Sequence, residues 1–278
     1  MLLQRAITAA ILAPLVILVI LFASTALFAA VAAVAFLAAL WEWARLSGLK
    51  NVALQAVWLT GSAAVFVLLW MARFTLVAPA VVGLGVLWWL VACIWLRHFA
   101  YGAAPTLENR ALKLLAGVFV IFPAWVAVIT IHAGLPHGHG LALLSLVIVW
   151  AADIGAYFSG RTFGKRKLAP QISPGKTWAG AYGALAAGVV VTALGGWWLL
   201  DVRGGQLIGL AVLAAVTVGA SIVGDLIESL MKRHAQVKDS GTMIPGHGGM
   251  MDRLDSVFAA LPVFAAGAML LNLFSAVG

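Results

Sequence analysis

The chain contains apolar runs too long for the core of a soluble domain. From Ala6 to Trp41 no charged residue interrupts the sequence. A helix needs roughly 20 apolar residues to cross the hydrocarbon of a bilayer. Only helices or closed barrels satisfy their backbone hydrogen bonds in lipid. Barrel strands would read as short segments of alternating polarity, whereas these runs are continuous. The expected fold is therefore all-α, a polytopic integral membrane protein. Composition agrees: 64% of residues are hydrophobic, 9% are charged and the mean hydropathy is +1.09, against about a quarter charged in soluble domains.

Partition by length predicts nine spans, near 7–23, 26–44, 52–72, 75–96, 112–131, 141–159, 178–200, 206–230 and 256–275. The break near Ser24 and Thr25 rests on length alone. Cytoplasmic connections of membrane proteins collect Lys and Arg. With the N-terminus inside, 15 of the 17 cations fall on the inner side, and Arg73 and Arg203 fall outside. This sorting predicts an N-in, C-out orientation with both large polar loops, 160–177 and 231–255, in the cytoplasm, so the expected location is the inner (cytoplasmic) membrane. The first span also reads as a secretory signal, because Arg5 precedes an apolar stretch and the small residues Ala23 and Ser24 follow it. Its removal would leave every later orientation unchanged. The single cysteine, Cys93, lies between Ala92 and Ile94, excludes an intrachain disulfide, and is expected to pack in the core.

Polarity is distributed unevenly. Residues 1–140 hold two carboxylates, Glu42 and Glu108, while residues 141–278 hold seven. The first part thus reads as a transmembrane scaffold and the second as the catalytic region of one membrane domain. Ser229 to Asp255 is the densest island, with four cations, three carboxylates, two histidines and four glycines. Asp153, Asp225 and Glu228 lie within or at the ends of apolar spans, where a carboxylate costs about 2.5–3.5 kcal/mol to insert and normally has a partner or a ligand. Asp225, Glu228, Ser229 and Lys232 recur at offsets of three, four and seven, which places them on one helix face. Asp252, Asp255 and Ser256 repeat that spacing. Hard oxygen donors of this kind suit Mg²⁺, and no Cys or His cluster suits zinc. A plainer reading neutralises Asp225 and Glu228 with Lys232, and Asp252 or Asp255 with Arg253.

Glycines extend the case for a site. Gly241, Gly246, Gly248 and Gly249 allow positive φ and close backbone approach to phosphate oxygens. The earlier loop, Gly160 to Gly180, sets Arg161, Lys165, Arg166, Lys167 and Lys176 among glycines, with Ser173 and Thr177 just before a helix N-terminus able to bind anions. An inner loop is basic in any case and can meet anionic lipid, so it is the spacing of Gly, Ser, Pro and Thr among the cations that argues for phosphate.

These residues resemble the CDP-diacylglycerol synthase (phosphatidate cytidylyltransferase) family. The family's C-terminal signature is met by Ser229, Lys232, Arg233, Lys238, Asp239, Gly241, Ile244, Pro245, His247, Gly248, Gly249, Met250, Asp252, Arg253, Leu254 and Asp255. The stretch Asp153 to Lys176 also looks like the family, with a departure at Ala179. The likeness is strong from about residue 145 to 275 and limited before that to hydropathy and the Glu42–Trp43 pair. It implies that CTP and phosphatidate, the latter held by membrane lipid, are converted to CDP-diacylglycerol and pyrophosphate with Mg²⁺. A second cation such as K⁺ is an option, no nucleic acid is involved, and a homodimer is implied.

On that reading Asp225 and Asp252 ligate the metal, with Glu228 or Asp255 as further ligands. Catalytic roles are expected of Asp225, Asp252, Lys232, Arg253, Asp255 and His247. Ser173, Lys176 and Thr177 would hold CTP, and Lys232, Arg233, Lys238 and Arg253 would neutralise phosphates. Substrate contacts are further expected from Asp153, Arg161, Lys165, Lys167, Ser229, Asp239, Gly248 and Gly249. No Ser-His-Asp set is needed, because phosphatidate brings its own nucleophilic oxygen. The alternatives are a CTP-dependent lipid-alcohol kinase, which shares such features, and an ion-coupled transporter, whose polar site would lie nearer the midplane. His132, His137 and His139 resemble a metal cluster but fall in an outer loop away from every carboxylate, and are expected to be structural. The tryptophans are expected to anchor or pack.

Overall fold

The computed structural model describes residues 2–199, 202–244, 246 and 248–274. Its elements in chain order are α1 (Leu2–Phe22), α2 (Thr25–Leu46), α3 (Val52–Met71), α4 (Val77–Leu96), α5 (Leu107–Ala133), α6 (Gly138–Phe163), β1 (Lys167–Ala169), β2 (Ser173–Thr177), α7 (Trp178–Leu199), α8 (Gly205–His234) and α9 (Met251–Leu270). Among the described residues, eight helices, α2 to α9, are long and apolar enough to cross a membrane, and α1 adds a shorter apolar stretch, Ala10–Phe22. The chain is thus a polytopic, nearly all-helical membrane protein. Between α1 and α2 the break falls at Ser24, whose hydroxyl caps α2 by accepting from the Leu27 amide.

The bundle is built around α5. In its most apolar stretch 72% of residues are buried in the protein, whereas in α3 the figure is 11%. α5 packs against α2, α4, α6 and α9, and α8 packs between α7 and α9. Gly85 of α4 lies against Pro123 of α5 and Pro262 of α9, and a Cβ there would overlap the first ring. Large apolar side chains such as Leu87, Leu90 and Ile94 are exposed on α4, as expected of a lipid-facing surface. Cys93 is on that face as well and is exposed, contrary to the expected core position. Its neighbours Ala92 and Trp95 are buried, and 100° of helical rotation separates Cys93 from Ala92.

Several helices outrun the predicted spans. α6 continues to Phe163 and α8 to His234, so Arg161, Lys232 and Arg233 sit on helical extensions beyond the predicted spans. The loop between α6 and α7 is not helical at all. It forms an antiparallel hairpin in which Lys167 pairs with Thr177 and Ala169 with Ser173, a small departure from the all-α expectation. The paired residues Ala169 and Ser173 each precede a proline, a position that disfavours the α region and favours extended backbone.

At the opposite end of the bundle the histidines act as a lock. His132 approaches the Thr25 hydroxyl at 3.1 Å through Nδ1 and the Ile20 carbonyl at 3.0 Å through Nε2. It stacks on Phe28 at 4.2 Å and on His139 at 4.0 Å, while His139 Nδ1 reaches the Leu21 carbonyl at 2.9 Å. Both ring nitrogens of His132 are therefore engaged in joining the α1–α2 break to α5 and α6. The tryptophans divide between packing and exposure: Trp43 and Trp125 are buried, donating to the carbonyls of Lys113 and Ala29, and Trp198 is exposed.

Candidate active site

Four elements bring charged side chains together at the end of the bundle that bears the hairpin. α8 presents Asp225, Glu228, Ser229 and Lys232 on one face, as their spacing predicted. The first turn of α9 presents Asp252 and Asp255 opposite them. Close approach of these helices depends on Gly224, where a Cβ would lie 2.5 Å from the Asp255 carbonyl oxygen. α6 supplies Asp153 and Arg161, and β2 delivers Lys176, whose ammonium is 2.5 Å from Asp225 Oδ2.

α6 and α7 meet through glycine: a Cβ on Gly155 would lie 2.5 Å from the Gly183 carbonyl oxygen, and one on Gly183 would collide with Ser159. Between α6, α7, α8 and the hairpin lies a cavity of about 440 Å³. Asp153, Arg161, Lys176 and Asp225 line its charged end, and Ala152, Ala156, Ala181, Ala184 and Ile222 its apolar wall. Tyr157, also in the lining, accepts from Arg161 Nη1 through its hydroxyl at 2.9 Å.

Asp225, Glu228 and Asp255 each place a carboxylate oxygen within 4.8 Å of the others. Lys232 bridges Glu228 Oε2 at 2.7 Å and Asp252 Oδ1 at 2.8 Å. Glu228 is 1% exposed, and its second oxygen, Oε1, is buried without a hydrogen-bond partner. A buried, unpartnered carboxylate oxygen is costly unless something positive meets it. Three hard oxygens around one point match the donor preference of a magnesium-sized cation, so the residues present fit such an ion. Asp252 is engaged differently. Its Oδ1 is held by Lys232, and its Oδ2 accepts from the Ser240 amide at 3.0 Å and the Gly249 amide at 2.8 Å and lies 2.9 Å from the Ser240 hydroxyl.

The remaining residues singled out in the sequence are distributed unequally. Ser229 donates to Asp225 Oδ1 at 3.3 Å. Thr177 lines the cavity while its hydroxyl caps α7 by accepting from the Gly180 amide at 3.1 Å. Arg233 ties α8 to the hairpin through the Ile172 carbonyl at 3.2 Å. Ser173 sits in the strand pairing opposite Ala169. Arg253 is exposed at the start of α9, and Lys165, Lys167, Lys238 and Asp239 are exposed outside the cavity lining. His247 and Pro245 lie outside the described residues. In the glycine loop, Gly246 and Gly248 adopt positive φ, +78° and +85°, which only a residue without Cβ does cheaply. Gly241 and Gly249 serve smallness instead, because a Cβ on either would overlap the carboxylate of Glu42. Glu42 is the residue that spacing could not find: it comes from α2, about 200 positions away in the chain, and sits fully buried under the loop.

Comparison with known proteins places this arrangement in context. The model of the cytidylyltransferase family matches residues 3–271. A phosphatidate cytidylyltransferase of Pseudomonas aeruginosa is 42% identical over 266 residues, covering 96% of this chain and 96% of that protein. One of Haemophilus influenzae is 36% identical, covering 95% and 98%, and one of Bacillus subtilis is 31% identical, covering 79% and 88%. A match of this extent, on a chain whose polar residues converge on one cavity, shows that this protein belongs to the cytidylyltransferase family.

Proposed function

We propose that this protein transfers the cytidylyl group of CTP to phosphatidate, yielding CDP-diacylglycerol and pyrophosphate. The observation that carries the reading is the charged lining of an alanine-walled cavity, where Arg161 and Lys176 lie with Asp153 and Asp225, and where Asp225, paired with Lys176, belongs to a cluster with Glu228 and Asp255 in which Glu228 keeps a buried free oxygen. An amphiphile with a phosphate head matches both halves of that cavity. The activity in the names of the relatives supports the same assignment.

The reaction needs no enzyme nucleophile. A phosphate oxygen of the lipid forms a bond to the α-phosphorus of CTP, and the bond from that phosphorus to the oxygen of the β-phosphate breaks, releasing pyrophosphate. Asp225, Glu228 and Asp255 would hold Mg²⁺, with Asp252 close by through Lys232. When bound, the cation neutralises phosphate oxygens and aligns attacking and leaving groups. Lys176 and Arg161 contribute fixed positive charge to the developing phosphate charge. The apolar wall keeps the acyl chains in lipid and water away from the α-phosphorus. Lys232 holds Glu228 and Asp252 apart in a fixed geometry, so the carboxylates are preorganised rather than mutually repelled. The reading includes the cytoplasmic face of the inner membrane as the site's location, supported by the sorting of the cations. It also includes a second cation such as K⁺ and a homodimer, both supported by the family resemblance.

The test is product analysis with purified protein in detergent or vesicles containing phosphatidate. CTP labelled at the α-phosphate should give labelled lipid with Mg²⁺ and none with a chelator. Label entering lipid from the γ-phosphate instead would mean a kinase and would overturn the reading.

A further inference from the structure

Glu42 is 0% exposed near the end of α2, whose other charged residue is Arg45. A buried carboxylate must be met by charge or by several donors. Here the donors come from the two ends of the glycine loop. Met250 N donates to Oε1 at 3.1 Å, Met251 N to Oε2 at 2.8 Å, and the Ser240 hydroxyl to Oε2 at 2.9 Å. Met250 is the N-cap of α9 and has no side-chain oxygen to offer, so the amides at the positive end of that helix that lack an intrahelical partner are satisfied from α2.

The same hydroxyl of Ser240 lies 2.9 Å from Asp252 Oδ2. A continuous set of polar contacts therefore runs from Glu42 through Ser240 to Asp252, Lys232 and Glu228. Gly241 and Gly249 are shaped to this carboxylate, since a Cβ on either would overlap it.

We infer that Glu42 is a positioning residue for the reaction: it pins Ser240 and the start of α9, and through them fixes Asp252 and Lys232 beside the carboxylate cluster. The chemistry of the donors explains why glutamate is required. Its two oxygens only accept, and all three groups facing them donate. Glutamine would turn an NH₂ toward a backbone N–H, and aspartate, one methylene shorter, would not reach. Removal of a comparable supporting contact costs about 10–100-fold in activity.

The experiment uses the full-length protein in detergent with phosphatidate and CTP. Glu42→Gln should lower kcat about 10–100-fold while KM for CTP changes far less, because Lys176, expected to hold CTP, is not in the chain of contacts. Tryptic cleavage after the exposed Lys238 should also accelerate, reporting release of the loop. Ser240→Ala, which removes the hydroxyl between Glu42 and Asp252 and leaves the residue-240 amide on Asp252 and the two backbone contacts of Glu42, should lower kcat in the same direction by less. A wild-type kcat in Glu42→Gln, or a loss that follows the unfolded fraction in a thermal melt, overturns the inference. Should Glu42→Gln fail to fold, a wild-type kcat in Ser240→Ala overturns it. The inference rests on the cytidylyl-transfer reading for its kinetic arm alone: no product from the wild-type protein sinks that reading, whereas unchanged cleavage at Lys238 sinks the anchor.

Discussion

Removing the ammonium of Lys232 should unfold this protein more readily than removing either of its partners. Lys232 is itself largely buried, and it bridges Glu228, whose side chain is 2% exposed, at 2.7 Å and Asp252, 8% exposed, at 2.8 Å. In Lys232→Met both carboxylates lose their shared cation, while Asp225 and Asp255 stay nearby. Breaking a buried pair by deleting one partner costs roughly 3–5 kcal/mol, because a charge is left uncompensated. At about 2 °C or more per kcal/mol for a chain of this size, the unfolding midpoint should fall by about 6 °C or more. The assay is thermal unfolding in detergent with a chelator present, so that no divalent cation replaces the ammonium. Glu228→Gln placed on Lys232→Met removes one of the stranded charges and should recover about 0.5–3 kcal/mol relative to the sum of the single changes. An unchanged midpoint in Lys232→Met, or a double variant that loses the full sum, would refute the reasoning.

Two further expectations follow from the same geometry. Asp225→Asn removes a charge from the three-carboxylate cluster and from the Lys176 pair; folded protein should form no product above background, and near-normal turnover would sink the cation placement. Gly155→Val should destabilise the α6–α7 contact by about 1–3 kcal/mol through overpacking, read as a lower unfolding midpoint, whereas Gly61→Val, where a Cβ meets nothing within 4 Å, should leave the midpoint much closer to wild type.

Much of the site was legible in sequence because helical spacing is local. Asp225, Glu228 and Lys232 share a face for the same reason in any helix, and a carboxylate in an apolar run signals a partner wherever the run folds. What spacing left open was the partner. The plain reading gave Lys232 to Asp225 and Glu228; in the structure Lys232 takes Glu228 and Asp252, and Lys176 from the hairpin takes Asp225. The glycines show the same division. Positive φ was open to all four and is adopted by Gly246 and Gly248, whereas Gly241 and Gly249 are needed for smallness, because Glu42, and at Gly249 also the Ser240 hydroxyl, lies against them. Cys93 marks a limit of another kind, because hydropathy cannot tell a lipid-facing position from a core one when both surroundings are apolar.

By itself the sequence determined a helical membrane protein with its polar residues concentrated in two segments, since lipid admits few backbone solutions and charges are tolerated only where they are used. Only the tertiary structure decided which charges meet. Helix packing brings α2, α6, the hairpin, α8 and α9 to one end of the bundle, and contacts across some 200 residues of chain are set by side-chain fit between helices, which no periodicity along one helix encodes.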